Sequence, residues 1–424
     1  MKKNIIKSDR FKEQYYKIKH PSGLTILVWS MEGFSSTEAL FGTNYGSINT
    51  RFKTNKDTDF VDVPEGIAHF LEHKLFENED CDVFELYAKT GANGNAYTSF
   101  DKTVYLFSCS DKWQESLEIL LSFVQKPYFT DATVQKEQGI IGQEIRMCDD
   151  NPDWRVFFNL LDALYVKHPV KIDIAGTVES IAEIDADLLY RCYHTFYNLN
   201  NMVLSISGNV NVDEVLKIAD KYLKPCEDIK LENQFPDEPL KINKTDVLQI
   251  LPVGTPLFNI GFKAPPKTGK ELLRAEVIAG MALSLIAGST SPLYKQLTEE
   301  GLINSSFSSE VFTGAGYFAN IFGGESKNPE EVFAKIKAEI ENVKVSGLDK
   351  KRFEIIKKSK YGQIVRGFNN VEACASLMLN SHFVGADAFD VAEILATLEI
   401  NEVQDSLNEM FDISNSAISI IKNR

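Results

Sequence analysis

Residues 66–76 read Gly-Ile-Ala-His-Phe-Leu-Glu-His-Lys-Leu-Phe, and three of them can do chemistry together. On a helix, positions four apart share a face, so His69 and His73 present two imidazoles to one ion. Glu72 follows His69 by three, shares most of that face, and can accept a proton from a water held beside the ion. This is the reversed zinc-helix order, His-x-x-Glu-His. Six histidines and 60 acidic residues in 424 positions give roughly 0.01 chance matches to it. A hydrolytic zinc site takes three protein ligands and keeps the fourth position for water, so one ligand remains to be found. The candidate is Glu144, with Glu137 seven residues before it on the same side of a helix and Ile140, Ile141, Ile145 and Met147 as apolar neighbours. A carboxylate in such a stretch needs a cationic partner. A divalent ion meets that need, and so does a buried ion pair; for the two histidines the pattern favours metal binding over surface or core hydrogen-bonding roles.

The surrounding text supplies elements to position these groups. Pro64 suits the first turn of a helix, where its missing N–H costs nothing, and that helix should run through Ile67, Phe70, Leu71, Leu75 and Phe76. Before it, residues 16–19 and 24–29 flank a Pro21-Ser22-Gly23 turn and predict a hairpin. After it come strands near residues 96–99 and 103–107, then helical periodicity over 114–124, 133–147 and 153–165. The half closes on a strand at 201–208 and a helix at 212–223. Residues 225–243 hold Pro236 and Pro239 and show no period, which predicts a linker. The order then repeats: strands at 247–250 and 258–262, a helix at 270–286, strands at 305–312 and 316–322, helices at 329–343, 349–367, 371–383 and 387–398, and a last strand at 417–421. Strand pairs followed by helices, twice over, predict an α+β protein of two similar domains, 1–224 and 244–424.

Composition limits the possible partners. With 45 Lys+Arg against 60 Asp+Glu the net charge is −15, which disfavours a nucleic-acid partner, whose phosphates need a basic footprint. The six cysteines (Cys81, Cys109, Cys148, Cys192, Cys226, Cys374) are scattered without a Cys-x-x-Cys, against a disulfide framework or a zinc ribbon. After Met1-Lys2-Lys3 no apolar core of signal-peptide length follows, and the greasiest stretch, 277–288, falls short of the roughly twenty residues a span needs. No membrane association is expected, and the compartment expected is the cytoplasm. His20, His168, His194 and His382 lack ligand-spaced companions.

The motif helix resembles that of the insulinase/pitrilysin family of zinc metallopeptidases, and the resemblance extends over nearly the whole chain. The downstream Glu137…Glu144 pair, followed by Asn151-Pro152-Asp153, is similar to the family's third-ligand segment. It implies His69, His73 and Glu144 as ligands of one zinc ion per chain, with Glu137 supporting the site and Glu72 as general base. Residues 91–98, Gly-Ala-Asn-Gly-Asn-Ala-Tyr-Thr, resemble the family's edge strand, where Asn95 and the Ala96 backbone would hold extended substrate. His168-Pro169, Ala175-Gly176 and Asn201-Met202 sit where the family has comparable pieces. The implied fold is the mitochondrial processing peptidase-like metallohydrolase fold, two related domains forming half of a clamshell. The implied activity is endopeptidase cleavage of peptides or short unfolded polypeptides in a closed chamber.

The resemblance has one gap. Where catalytic assemblies of the family carry an Arg and a Tyr, this chain has Thr298 and Asn304. That departure resembles bacterial members whose zinc subunit works with a homologous, zinc-free subunit supplying the pair, and it implies a heterodimer. Two other classes stay open: a structural or partner subunit, as in members that have lost the zinc motif, and a non-proteolytic zinc hydrolase.

Overall fold

The computed structural model describes residues 2–79 and 82–424; Met1 and Cys81, cited above, lie outside them. The chain divides into two compact units. The first comprises Met1–Ile145, Asp173–Gln234 and Val365–Phe389, the second Arg146–Ile172, Phe235–Ile364 and Asp390–Arg424. Both are mixed helix and sheet, as the order of elements predicted.

In the first unit a seven-stranded sheet runs in the order Lys3–Ser8, Glu13–Lys19, Thr25–Ser30, Met202–Gly208, Thr37–Thr43, Thr103–Cys109, Asn93–Thr98. Only the pair Thr25–Ser30 and Met202–Gly208 is parallel. Thr37–Thr43 and Met202–Gly208 are buried along their whole length, as central strands covered on both faces are. One face is covered by the helix Val371–Phe383, which packs on both strands, and Ser205 Oγ donates to Ala375 O at 2.7 Å. The approach is close: a Cβ on Gly42 would stand 3.0 Å from Leu379 Cδ1.

The second unit repeats this plan with five strands, Asp246–Ile250, Ser416–Lys422, Leu257–Lys263, Tyr317–Glu325 and Ser308–Gly314, again with one parallel pair, the first. Its covering helix is Pro152–Leu164, packed on Ser416–Lys422 and Leu257–Lys263. Each unit thus takes its covering helix from the other half of the sequence, and the units do not coincide with the contiguous segments 1–224 and 244–424. Periodicity gives a helix an apolar face but does not say which sheet that face meets.

Residues 225–243 are also more than a spacer. Leu231–Asn233 pairs with Arg51–Thr54 in a small third sheet of the first unit. Further on, Glu238 accepts from the backbone N–H groups of Val166, Lys167 and His168 at 2.8, 2.6 and 2.7 Å, and from Lys263 Nζ at 2.5 Å. The Lys263 and Glu238 side chains are only 3% and 7% exposed. Burial pulls the Glu238 carboxyl up, but the ammonium and the three amides outweigh it and hold the group below the usual carboxylate range. Lys263→Met should therefore cost about 3–5 kcal/mol, because it leaves a buried carboxylate without its counter-charge. Chemical denaturation measures this, and a loss under about 1 kcal/mol would show that water or another cation compensates.

No single helix among the described residues is long and apolar enough to cross a membrane; the bent pair Gly269–Ala287 and Pro292–Glu299 passes by length and composition alone. Many of its residues, among them Ile278, Met281, Leu285 and Leu297, are core side chains of the second unit. Among the helices not expected from the sequence are Ala186–Phe196 and Ile400–Met410. The second begins at a capping box of Glu399 and Glu402, a local signal that the apolar pattern overshadowed.

Candidate metal centre

The motif helix spans Ile67–Leu75 and starts from Gly66 at φ 86°, a left-handed conformation that favours glycine. Space requires glycine there too: a Cβ would meet Ala175 O at 2.3 Å. Ser180 Oγ also donates to Glu65 O at 2.9 Å, so the Ala175-Gly176 segment and the turn after it clamp the start of this helix. Ile67, Ala68, Phe70, Leu71, Lys74 and Leu75 are buried, so core packing fixes the helix rotation and leaves His69, Glu72 and His73 on the remaining face.

The second contributor is the helix Asp131–Asp149, with Val134, Glu137, Ile141 and Ile145 buried. It brings Glu144 opposite both histidines: Oε1 lies 3.6 Å from His69 Nε2 and Oε2 lies 3.6 Å from His73 Nε2. The ligating atoms of the three residues all lie within 4.8 Å of one another. Glu137 Oε1 is 2.9 Å from His73 Nδ1, a contact that makes Nδ1 the protonated nitrogen and leaves the Nε2 lone pair facing Glu144. Among the described residues, His69 Nδ1 is buried without a partner.

Electrostatics favour a cation at this point. Burial, with the neighbouring charge of His73, drives the pKa of His69 down to about 3, so its ring is neutral and available as a ligand. Burial also depresses His73, but the hydrogen bond it donates to Glu137 and the charges of Glu72, Glu144 and Glu137 outweigh it and raise its pKa. Burial raises the Glu72 carboxyl against a hydrogen bond from Thr98. Two imidazole nitrogens and a carboxylate are a hydrolytic zinc donor set. Ordinary zinc bond lengths at tetrahedral angles put ligand atoms about 3.3–3.5 Å apart, close to the separations found, so these residues fit a zinc ion.

Among the described residues, the edge strand Asn93–Thr98 is the outermost of its sheet, paired only with Thr103–Cys109. Thr98 Oγ1 donates to Glu72 Oε2 at 2.7 Å, a contact that no sequence pattern signals. Asn95 is exposed, and its Oδ1 accepts from the Ala96 N–H at 2.9 Å, so the donor expected to meet substrate is engaged by a neighbouring side chain that must swing away. In the second unit, Thr298 Oγ1 donates to Tyr294 O at 2.8 Å, and Asn304 Nδ2 donates to Glu325 Oε2 at 2.6 Å. His168 is fully buried there, its Nδ1 accepting from the Val170 N–H at 3.1 Å.

Comparison with known proteins bears on this geometry. Residues 61–178 match the Insulinase (Peptidase family M16) domain, and residues 183–360 match the Peptidase M16 inactive domain. YmfH of Bacillus subtilis (strain 168), an uncharacterized zinc protease, is 39% identical over 410 residues, covering 95% of each chain. The chain belongs to the M16 family. A crystal structure of an M16-like peptidase from Alicyclobacillus acidocaldarius superposes at TM-score 0.94 with 32% identity, covering 97% of this chain and 98% of that one. Pitrilysin, at 16% identity and TM-score 0.77 over 46% of its length, shares the fold. The beta subunit of the Caenorhabditis elegans mitochondrial-processing peptidase is 30% identical over 208 residues, 48% of this chain and 43% of that one. The family supports a metallopeptidase, and relatives named zinc proteases imply zinc.

Proposed function

We propose that this M16 protein is a zinc-dependent endopeptidase that hydrolyses peptides and short unfolded polypeptides in a closed chamber, holding one zinc ion per chain through His69, His73 and Glu144. The observation that carries the reading is the convergence of His69 Nε2, His73 Nε2 and both Glu144 oxygens, with Glu72 on the same helix face. When bound there, zinc polarises a carbonyl and lowers the pKa of a water. Glu72 then takes the proton from the attacking water at its carboxylate and delivers it to the leaving amine. Thr98 holds Oε2 of that carboxylate, which orients Glu72 and leaves Oε1 as its free proton acceptor. Glu137 fixes the tautomer of His73. Asn95 and Ala96 receive extended substrate along the unpaired side of the edge strand.

Incubation with unstructured peptides, with and without a chelator, tests the activity. Chelator-sensitive internal cleavage, restored by zinc, is expected. Its absence in every assembly would leave the other reading, a non-catalytic structural subunit of a peptidase assembly. Glu137→Gln should weaken zinc binding by about 10–100-fold, as loss of an outer-shell partner does, and Glu144→Ala should weaken it further. Competition with a chromophoric chelator measures both, and unchanged zinc affinity in Glu144→Ala would remove Glu144 from the ligand set. Cys109, Cys192, Cys226 and Cys374 carry free thiols, which supports a reducing, cytoplasmic setting.

A further inference from the structure

The second unit repeats the arrangement around the metal ligands with different side chains. In the first unit the motif helix meets the edge strand, and Thr98 Oγ1 donates to Glu72. In the second, the helix Gly269–Ala287 meets the edge strand Ser308–Gly314, and Thr313 Oγ1 donates to Glu276. The helix carrying Glu137 and Glu144 has its counterpart in Lys350–Gly367, which contributes Lys360. No histidine lies in Gly269–Ala287, so the second unit holds no copy of the metal site in that helix. A lysine ammonium stands there as the fixed positive charge.

A cavity of about 310 Å³ opens between these helices, with Leu273, Val277, Ile364 and Leu395 among its apolar walls and Lys360 and Gly280 in its lining. A Cβ on Gly280 would stand 3.9 Å from both Lys360 Nζ and Val311 Cγ2, so the missing side chain leaves the space between them open. Among the described residues the Lys360 ammonium has no hydrogen-bond or ion-pair partner, and burial alone acts on it, holding its pKa below the ordinary lysine value. Glu276, the carboxylate in the same lining, is engaged by Thr313. Partial burial of an ammonium without an acceptor is costly. Apolar walls around a partly buried ammonium, with the Thr313-held Glu276 and Gln363 as the other polar lining groups, make up at this volume a small-ligand site.

We propose that this cavity binds a carboxylate borne on an apolar stem, with the Lys360 ammonium as its counter-charge and the Leu273, Val277 and Leu395 wall against the stem. The carboxylate is supplied either by the C-terminal end of a peptide or by a short free acid. The site is independent of the peptidase reading, since none of its residues serves the metal centre.

Calorimetric titration of the full chain carrying Glu72→Gln, which keeps peptide probes intact, tests this. Three probes are compared: an acetylated tripeptide ending in leucine, its C-terminal amide, and 4-methylpentanoate. Saturable binding of the free-acid tripeptide is expected, at least about tenfold tighter than the amide, with a similar loss in Lys360→Met. Gly280→Leu, which keeps the charge and fills the space, should abolish binding and decides the matter if Lys360→Met misfolds. Carboxylate captured by zinc would survive both substitutions. If 4-methylpentanoate matches the tripeptide, a free acid is the ligand; if it binds at least about tenfold more weakly, the peptide terminus is. No saturable binding of any probe, or binding that Lys360→Met leaves unchanged, overturns the proposal.

Discussion

Replacing Glu72 with glutamine is expected to lower peptide hydrolysis by about 10²–10⁴-fold while leaving zinc stoichiometric. Glutamine keeps the volume of glutamate and can still accept from Thr98 Oγ1, so the 2.7 Å contact to the edge strand survives. His69, His73 and Glu144 are untouched, and the helix rotation is set by buried Phe70, Leu71 and Leu75, which the change does not reach. The amide loses only the capacity to take a proton from water and pass it on. Burial already raises the Glu72 carboxyl, the direction that makes a carboxylate a better proton acceptor. The measurement is kcat on an internally quenched peptide alongside metal content by mass spectrometry. Full activity in Glu72→Gln with zinc bound would assign the base elsewhere, whereas lost zinc would mean the residue shapes the ligand set. These outcomes differ from Glu144→Ala, where metal affinity falls first.

The metal centre was legible because its densest part is local. His69, Glu72 and His73 sit within one and a half helical turns, and Glu137 and Glu144 share a second helix at a heptad spacing, so each group reads as one face. That the two faces meet, with both Glu144 oxygens 3.6 Å from an imidazole nitrogen, depends on packing between helices; the pattern made Glu144 a candidate ligand without deciding against a buried ion pair, and the family resemblance selected the ligand role. Thr98 shows the limit. Its text lay within a recognisable edge strand, but its contact with Glu72 depends on the register Thr98↔Thr103 and on how that strand lies against the motif helix. The crossing of Pro152–Leu164 and Val371–Phe383 between units was invisible for a similar reason, since an amphipathic helix does not name the sheet it covers. Glu238 looked like one acid among several in a linker, because the three amides and the lysine that bind it come from other segments.

Purified alone, the chain is expected to turn over peptides weakly or not at all, and a homologous subunit that lacks zinc ligands but carries the Arg/Tyr pair should raise kcat/KM by about 10²–10³-fold or more, the cost of one missing oxyanion donor. As the scissile carbonyl is attacked, negative charge grows on its oxygen and needs preorganised donors beyond the metal. Thr298 and Asn304 stand where the family resemblance expects those donors, and neither is free to serve. The Thr298 hydroxyl donates back to Tyr294 O within its own helix, and the Asn304 amide donates to Glu325 while its Oδ1 accepts from the Ser306 N–H at 2.8 Å. Neither carries a fixed positive charge, so even a rearranged side chain would supply a weaker donor than guanidinium. Three preparations separate the possibilities: the chain alone, the chain with a motif-less homologue from the same genome, and the chain with that homologue after its Arg is changed to Ala. Activity that appears in the second and collapses in the third supports a heterodimer with a shared site. Full turnover by the chain alone, unchanged by the homologue, would place the missing donors within this chain and end the case for a partner.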